Sequence, residues 1–341
     1  MYKVGIIGTG FGSKVYVPVM KSMNLFEITG LSDFGSGNSK KVIKKNNLSC
    51  QSFNDPKELI RSDKNNLICI VSPPVTHKNY IELSLQYKKH IICEKPIGLN
   101  NKLIKTFYKV AKRNNLLNIV NYHFRFNDLI MNLKKAIINS ELGEIKEIKV
   151  NWILSSNVKK NNTWKSIEEK GGELKNEVLS HVIDYILFLI EEPITKIKNI
   201  KSRKYVDKLG IINELNRIHL LARCINCSIN VYRCARFVGS HKILVKGSKK
   251  SVLVSFKSPF DRKSKSMTFF NERKLESKII GSSSKDALAG DDRKNSFSNM
   301  LHQITNSINN DFLPTFDSAI KVWNILEMIN KNLSPRNISQ M

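Results

Sequence analysis

Lys3-Val4-Gly5-Ile6-Ile7-Gly8-Thr9-Gly10-Phe11-Gly12-Ser13 is a short apolar strand that runs straight into a glycine-rich turn, and Lys14–Met20 continue it as a helix. That order brings bare backbone N–H groups, and the positive end of a helix dipole, up to a pyrophosphate. Gly8 permits the tight turn, Gly10 lets the backbone approach the phosphates, and Thr9, Phe11 and Gly12 complete the loop. Ser13 takes the third position of the fingerprint, where Gly or Ala lets helix and strand pack closely. A lone glycine turn is a weak signal, but Asp33 ends a second apolar run 25 residues after Gly8. A carboxylate there accepts from both hydroxyls of an adenosine ribose and repels a 2′-phosphate, which favours NAD. Lys40 and Lys41 leave NADP open, and a helix-capping aspartate is the alternative reading of Asp33.

Working outward, apolar strands are expected at Tyr2–Gly8, Glu27–Ser32, Leu67–Ser72, His90–Cys93 and Leu117–Val120. Helices lie between them, notably Val75–Tyr87 and Asn101–Asn114. Continuous apolar strands separated by amphipathic helices imply a doubly wound parallel sheet, here a Rossmann domain over residues 1–121. Beyond Asn121 the pattern changes. Helices are expected at Asp128–Ser140, Leu174–Ile190, Arg293–Asn309 and Asp317–Asn330. Strands are expected at Ile145–Leu154, Ile194–Ser202, Ile218–Arg223, Ser228–Phe237, Lys242–Val245, Ser251–Phe256 and Met267–Asn271. Strands in series imply an α+β domain with a largely antiparallel open sheet over residues 122–341, in a chain that is α/β overall.

Composition narrows the class. The chain has 341 residues, is 41% hydrophobic and has no apolar run of about 18 residues, so no membrane span is expected. It opens directly on a strand instead of a basic and then hydrophobic leader, so the expected location is the cytoplasm. The net charge of +27 invites a nucleic-acid reading. However, Lys outnumbers Arg 44 to 12 and 37 Asn are scattered throughout, which is the mark of an AT-rich genome on solvated surfaces. Cys224 and Cys227 form a C-x-x-C with no second pair, a poor zinc site, and a spacing of three puts their sulfurs on opposite faces of a strand. No metal is expected.

Three segments carry chemistry. Ser72-Pro73-Pro74-Val75-Thr76-His77 follows a parallel strand, where ligands bind, and so is expected to border the cofactor. Cys93-Glu94-Lys95-Pro96 follows the next one. A lysine there points to the crevice where a nicotinamide and a substrate meet, and its ammonium can bind a hydroxyl and assist proton removal. In Gly171–Asp184, Glu177, His181 and Asp184 fall at i, i+4 and i+7, one polar stripe on an apolar helix. His181 can exchange a proton while a carboxylate orients it; a satisfied structural network is the other reading.

With these residues in place, the chain resembles the glucose–fructose oxidoreductase/inositol dehydrogenase/rhizopine catabolism (Gfo/Idh/MocA) family. The resemblance runs through Val4–Pro18, Pro73–His77, Glu94-Lys95-Pro96, Asn121–Phe126, Gly143-Glu144-Ile145, Gly171–Asp184 and Leu313–Ala319. It implies hydride transfer between nicotinamide and a sugar, polyol or sugar-nucleotide carbon, with Lys95 at the reaction centre and His181 as acid/base. It also implies a sheet that mediates a homo-dimer or homo-tetramer. Arg125, Trp164, Lys165 and Asp184 are the expected substrate residues. The family commonly has Asp where Glu177 stands, Gly at Glu173 and a small residue at Leu179. It also contains silent dinucleotide-sensing regulators and NAD-assisted glycosidases, which remain alternatives.

Overall fold

A computed structural model describes residues 1–98, 100–155, 172–207, 211–234, 238–256, 265–271, 275–276, 291–306 and 312–333. These form two compact units. The first holds Met1–His123 and Arg293–Lys321, and the second holds the described residues of 124–292 and those after 321.

The first unit is built on strands β1 Tyr2–Ile7, β2 Phe26–Ser32, β3 Gln51–Phe53, β4 Leu67–Ile70, β5 His90–Cys93 and β6 Asn118–Val120. All pair in parallel, in the order β3-β2-β1-β4-β5-β6. Val4, Ile6 and Ile7 on β1, Leu67–Ile70 on β4 and Ile91–Cys93 on β5 are fully buried, because helices cover both faces of the sheet. Strand order reverses between β1 and β4, so the turns after β1 and β4 flank one crevice at the carboxyl edge. The five expected strands are present. β3 has no counterpart among them, since Gln51-Ser52-Phe53 is too short and polar to register as an apolar run. It ends just before Asp55, whose side chain accepts from the Lys57 N–H to cap helix Pro56–Arg61.

The second unit carries β7 Ile145–Leu154, β8 Ile194–Val206, β9 Ile212–Ala222, β10 Ile225–Arg233, β11 Ser240–Gly247, β12 Ser251–Phe256, β13 Lys265–Phe270 and β14 Leu275–Glu276. Their order is β14-β13-β12-β11-β7-β10-β9-β8, antiparallel throughout except for the parallel β7–β10 pair. Cys227, Ile229, Val231 and Arg233 on β10 are buried, while Asn226, Ser228, Asn230 and Tyr232 face outward. Helix Ser180–Ile190 lies on the inner face, its Tyr185 hydroxyl 3.0 Å from His241 Nε2 on β11. β9 begins six residues before the expected Ile218, because Asn213 and Glu214 interrupt the apolar run yet are buried in the sheet. Cys224 lies exposed in the β9–β10 turn and Cys227 is buried, its thiol pushed up to about 12 by burial.

Candidate active site

The glycine turn has the shape its sequence requires. Gly8 has φ +106°, and a Cβ there would lie 2.5 Å from the Val71 carbonyl oxygen, so no other residue fits. At Gly10 a Cβ would meet nothing within 4 Å, which leaves open space beside the backbone. Gly12 begins a wide helical turn, Gly12–Tyr16, that passes into helix Val17–Lys21. Asp33 is 5% exposed. Its Oδ2 accepts from the Ser39 N–H (2.5 Å), in the first turn of helix Asn38–Lys45, and from the Ser36 hydroxyl (3.0 Å). Burial pushes its carboxyl up, but those donors more than offset it and hold it below the ordinary carboxylate range. Asp33 Oδ1 is buried with no hydrogen-bond partner among the described residues. An acceptor left over in this way, beside an open glycine turn, fits the ribose hydroxyls of a dinucleotide.

The two loops after β4 and β5 are fastened to each other. His77 is fully buried, with Nδ1 2.8 Å from the Pro96 carbonyl oxygen and Nε2 2.8 Å from that of Ser72. Burial lowers its pKa. His77 thus clamps the two loops to each other. Ser72 and Thr76 hydroxyls lie 2.6 Å apart, and Thr76 Oγ1 donates to the Pro73 carbonyl (2.8 Å), making no side-chain cap on the following helix. Pro74 is buried beneath this turn. Glu94 Oε1 accepts from the hydroxyl of buried Tyr16 (2.9 Å) and from Asn121 Nδ2 (2.5 Å). Burial raises the Glu94 pKa, opposed by Asn121, Lys95 and Tyr16. Glu94 is therefore a strut between the glycine-turn helix and β6, and Lys95 stands next to it, partly exposed at the carboxyl edge.

In the second unit, His181 is 4% exposed and its ring meets Phe124 edge-on, centroids 4.7 Å apart, while Phe124 in turn meets Trp152 edge-on. The expected substrate residues Arg125 and Asp184 are paired with each other. Arg125 Nε donates to Asp184 Oδ2 (2.7 Å) and a terminal nitrogen donates to Oδ1 (2.6 Å), with both residues buried. Burial raises the Asp184 carboxyl to about 6, against the pull of Arg125. Glu177, expected to orient His181, is ion-paired to Arg233, whose other terminal nitrogen donates to Glu214 (2.8 Å). Glu173 has φ +70°, the left-handed conformation that glycine adopts without strain, and Lys204 holds its carboxylate. Trp164 and Lys165 lie outside the described residues.

Sequence reading missed Arg233, although a signal was present: it continues the alternation of Cys227, Ile229 and Val231, so an arginine stood in phase with the core. It also missed Tyr16 and Asn121, which read as ordinary helix and strand-end residues.

Two family models cover most of the chain. One, described as the NAD-binding Rossmann fold of the Gfo/Idh/MocA oxidoreductase family, matches residues 2–122, and the other, its C-terminal alpha/beta domain, matches 134–318. An uncharacterized oxidoreductase of Synechocystis is 28% identical over 54% of this chain and 50% of its own length. The glucose-6-phosphate 3-dehydrogenase of Bacillus subtilis is 26% identical over 64% of each chain. The matched stretch thus spans half to two thirds of these relatives. Among solved structures, a 3-ketoreductase from Actinomadura kijaniata, in complex with NADP and TDP-benzene, shares the fold with a TM-score of 0.78. It covers 97% of both chains at 12% identity.

Proposed function

Because this chain belongs to the Gfo/Idh/MocA oxidoreductase family, with an NAD-binding Rossmann domain, we propose that it is an NAD(P)-dependent dehydrogenase acting on a sugar, polyol or sugar nucleotide. Lys95 carries the reading: it stands two residues past β5, at the carboxyl edge of a sheet whose first turn is built for a dinucleotide. A relative named as a sugar-phosphate dehydrogenase supports the substrate class.

Bound nicotinamide supplies the hydride acceptor, or the donor in reduction. Lys95 holds the reacting hydroxyl and, as a cation, stabilises negative charge that builds on its oxygen. His181 takes the hydroxyl proton, or returns it in reduction, with its ring held by Phe124. Asp33 receives the adenosine ribose, and the backbone of Gly8–Gly12 receives the diphosphate. Arg125–Asp184 and Glu177–Arg233 act through the helix that carries His181 and not on the substrate. The working form is a cytoplasmic homo-oligomer joined through the outer face of the second sheet. There Leu215, Leu221, Tyr232, Leu244 and Leu253 stand half-exposed among polar neighbours.

The test is NADH formation by the purified protein against a panel of sugars, sugar phosphates, polyols and nucleotide sugars. The expected result is turnover on a member of the panel, with kcat reduced about 10²- to 10⁴-fold in Lys95→Ala and His181→Ala. Turnover that survives both substitutions overturns the mechanism. One observation favours a second reading, a dinucleotide-sensing regulator: the carboxylate expected to orient His181 is held by Arg233. Tight NAD binding with no turnover on any substrate selects that reading.

A further inference from the structure

We propose that Asn121 is a cofactor-binding residue whose side-chain oxygen accepts from the carboxamide N–H of the nicotinamide ring. Asn121 directly follows β6, and its backbone N–H donates to the Cys93 carbonyl (2.8 Å) at the carboxyl end of β5. It therefore stands beside the loop that carries Lys95, on the edge of the sheet where ligands bind. Asn121 is fully buried, and the two ends of its amide are treated differently. Nδ2 donates to Glu94 Oε1 (2.5 Å), whereas Oδ1 has no hydrogen-bond partner among the described residues. Asn121, Glu94 and Tyr16 all belong to the first unit.

The orientation of the amide is fixed by its neighbours. Glu94 Oε1 also receives the hydroxyl of Tyr16 (2.9 Å), so it acts as an acceptor and must meet the amide nitrogen. Turning the amide over would set oxygen against oxygen. Oδ1 is thus a fixed acceptor, and a buried acceptor calls for a donor. The strand order says which donor arrives. Asp33 ends β2, on one side of β1, and suits the adenosine ribose. With the diphosphate at the turn after β1, the nicotinamide half extends the other way, over β4 and β5 toward β6. The carboxamide is the group on that ring that carries N–H donors. An acceptor already shielded from water forms a stronger bond with it than one exposed to solvent.

The inference rests on the NAD-binding domain and not on the dehydrogenase reading, so binding alone tests it. Calorimetric titration of the full chain, wild type and Asn121→Ala, uses NAD and two probes that lack the donor. One is the 3-acetylpyridine analogue of NAD, in which a methyl group replaces the carboxamide NH2, and the other is ADP-ribose, which has no nicotinamide. Wild type is expected to bind NAD about 3- to 10-fold more tightly than the acetylpyridine analogue, the range for one neutral hydrogen bond. Asn121→Ala is expected to lose that preference while its affinity for ADP-ribose is unchanged. If Asn121→Ala does not fold, Asn121→Ser carries the comparison, since its shorter side chain keeps a donor but not the reach. Equal wild-type affinity for NAD and the analogue, or a preference that survives in the variant, overturns the proposal. So does a variant that loses ADP-ribose as far as NAD, which would make Asn121 a strut alone, and so does failure of the wild type to bind NAD. The expected binding pattern without turnover touches only the dehydrogenase reading.

Discussion

The glycine turn of the first unit and helix Ser180–Ile190 of the second treat their polar groups in opposite ways. Around the turn, space and an acceptor are left over: Gly10 faces open space and Asp33 Oδ1 is buried without a hydrogen-bond partner among the described residues. On that helix and in the turn before it, polar groups close on partners, Asp184 with Arg125 and Glu177 with Arg233. A buried acceptor left unpaired costs about 1–3 kcal/mol, which a ligand recovers when it binds. A buried ion pair is already satisfied, and it holds a backbone in place. Groups left over suit a ligand, and closed ion pairs suit a scaffold.

The sharpest way to break that contrast is Asp184→Ala. It leaves the Arg125 guanidinium buried without its carboxylate, and the expected loss is about 3–5 kcal/mol of stability, read as a lower urea midpoint. Stability unchanged with a raised KM would return Asp184 to the substrate. Next is Asp33→Ala, for which NAD affinity is expected to fall about 10- to 100-fold while NADP affinity falls less, because the repulsion of a 2′-phosphate goes with the carboxylate. Equal losses for the two cofactors would remove Asp33 from the ribose.

A third test asks how dry the second unit is. His241 is stacked on Trp152 (4.2 Å) and Phe256 (5.0 Å), and burial lowers its pKa to about 3. Between pH 6.5 and 3 the unfolded chain binds a proton that the folded one excludes, so this group costs about 1.4 kcal/mol per pH unit as pH falls. Asp184 opposes it: its carboxyl, raised to about 6, favours the folded state as pH falls from 6 toward 3.8. Urea unfolding of His241→Phe and wild type across this range isolates the histidine. The variant is expected to be about 1 kcal/mol less stable at pH 7, since Tyr185 loses its partner, and to become the more stable of the two in acid. Parallel curves would mean that water reaches His241.

Much of this was legible in residues. The parallel strands read as continuous apolar runs because both faces of that sheet are covered. Lys95 and His181 read as candidates because a strand end and a helical stripe are local properties. The short β3, the early start of β9 and the loop clamp at His77 did not read, since each depends on a partner in another element or on a run too brief to show a period.

By itself, the sequence determined the order of elements, the glycine turn and the family of the protein, because backbone conformation and hydrophobic period are set by neighbours along the chain. Only the tertiary structure decided which ionisable groups are already engaged. Arg125 meets Asp184 across 59 positions and Arg233 meets Glu177 across 56, and Arg293 reaches Phe11 from the far end of the chain. Burial makes a charge seek a partner, and folding decides which one is within reach.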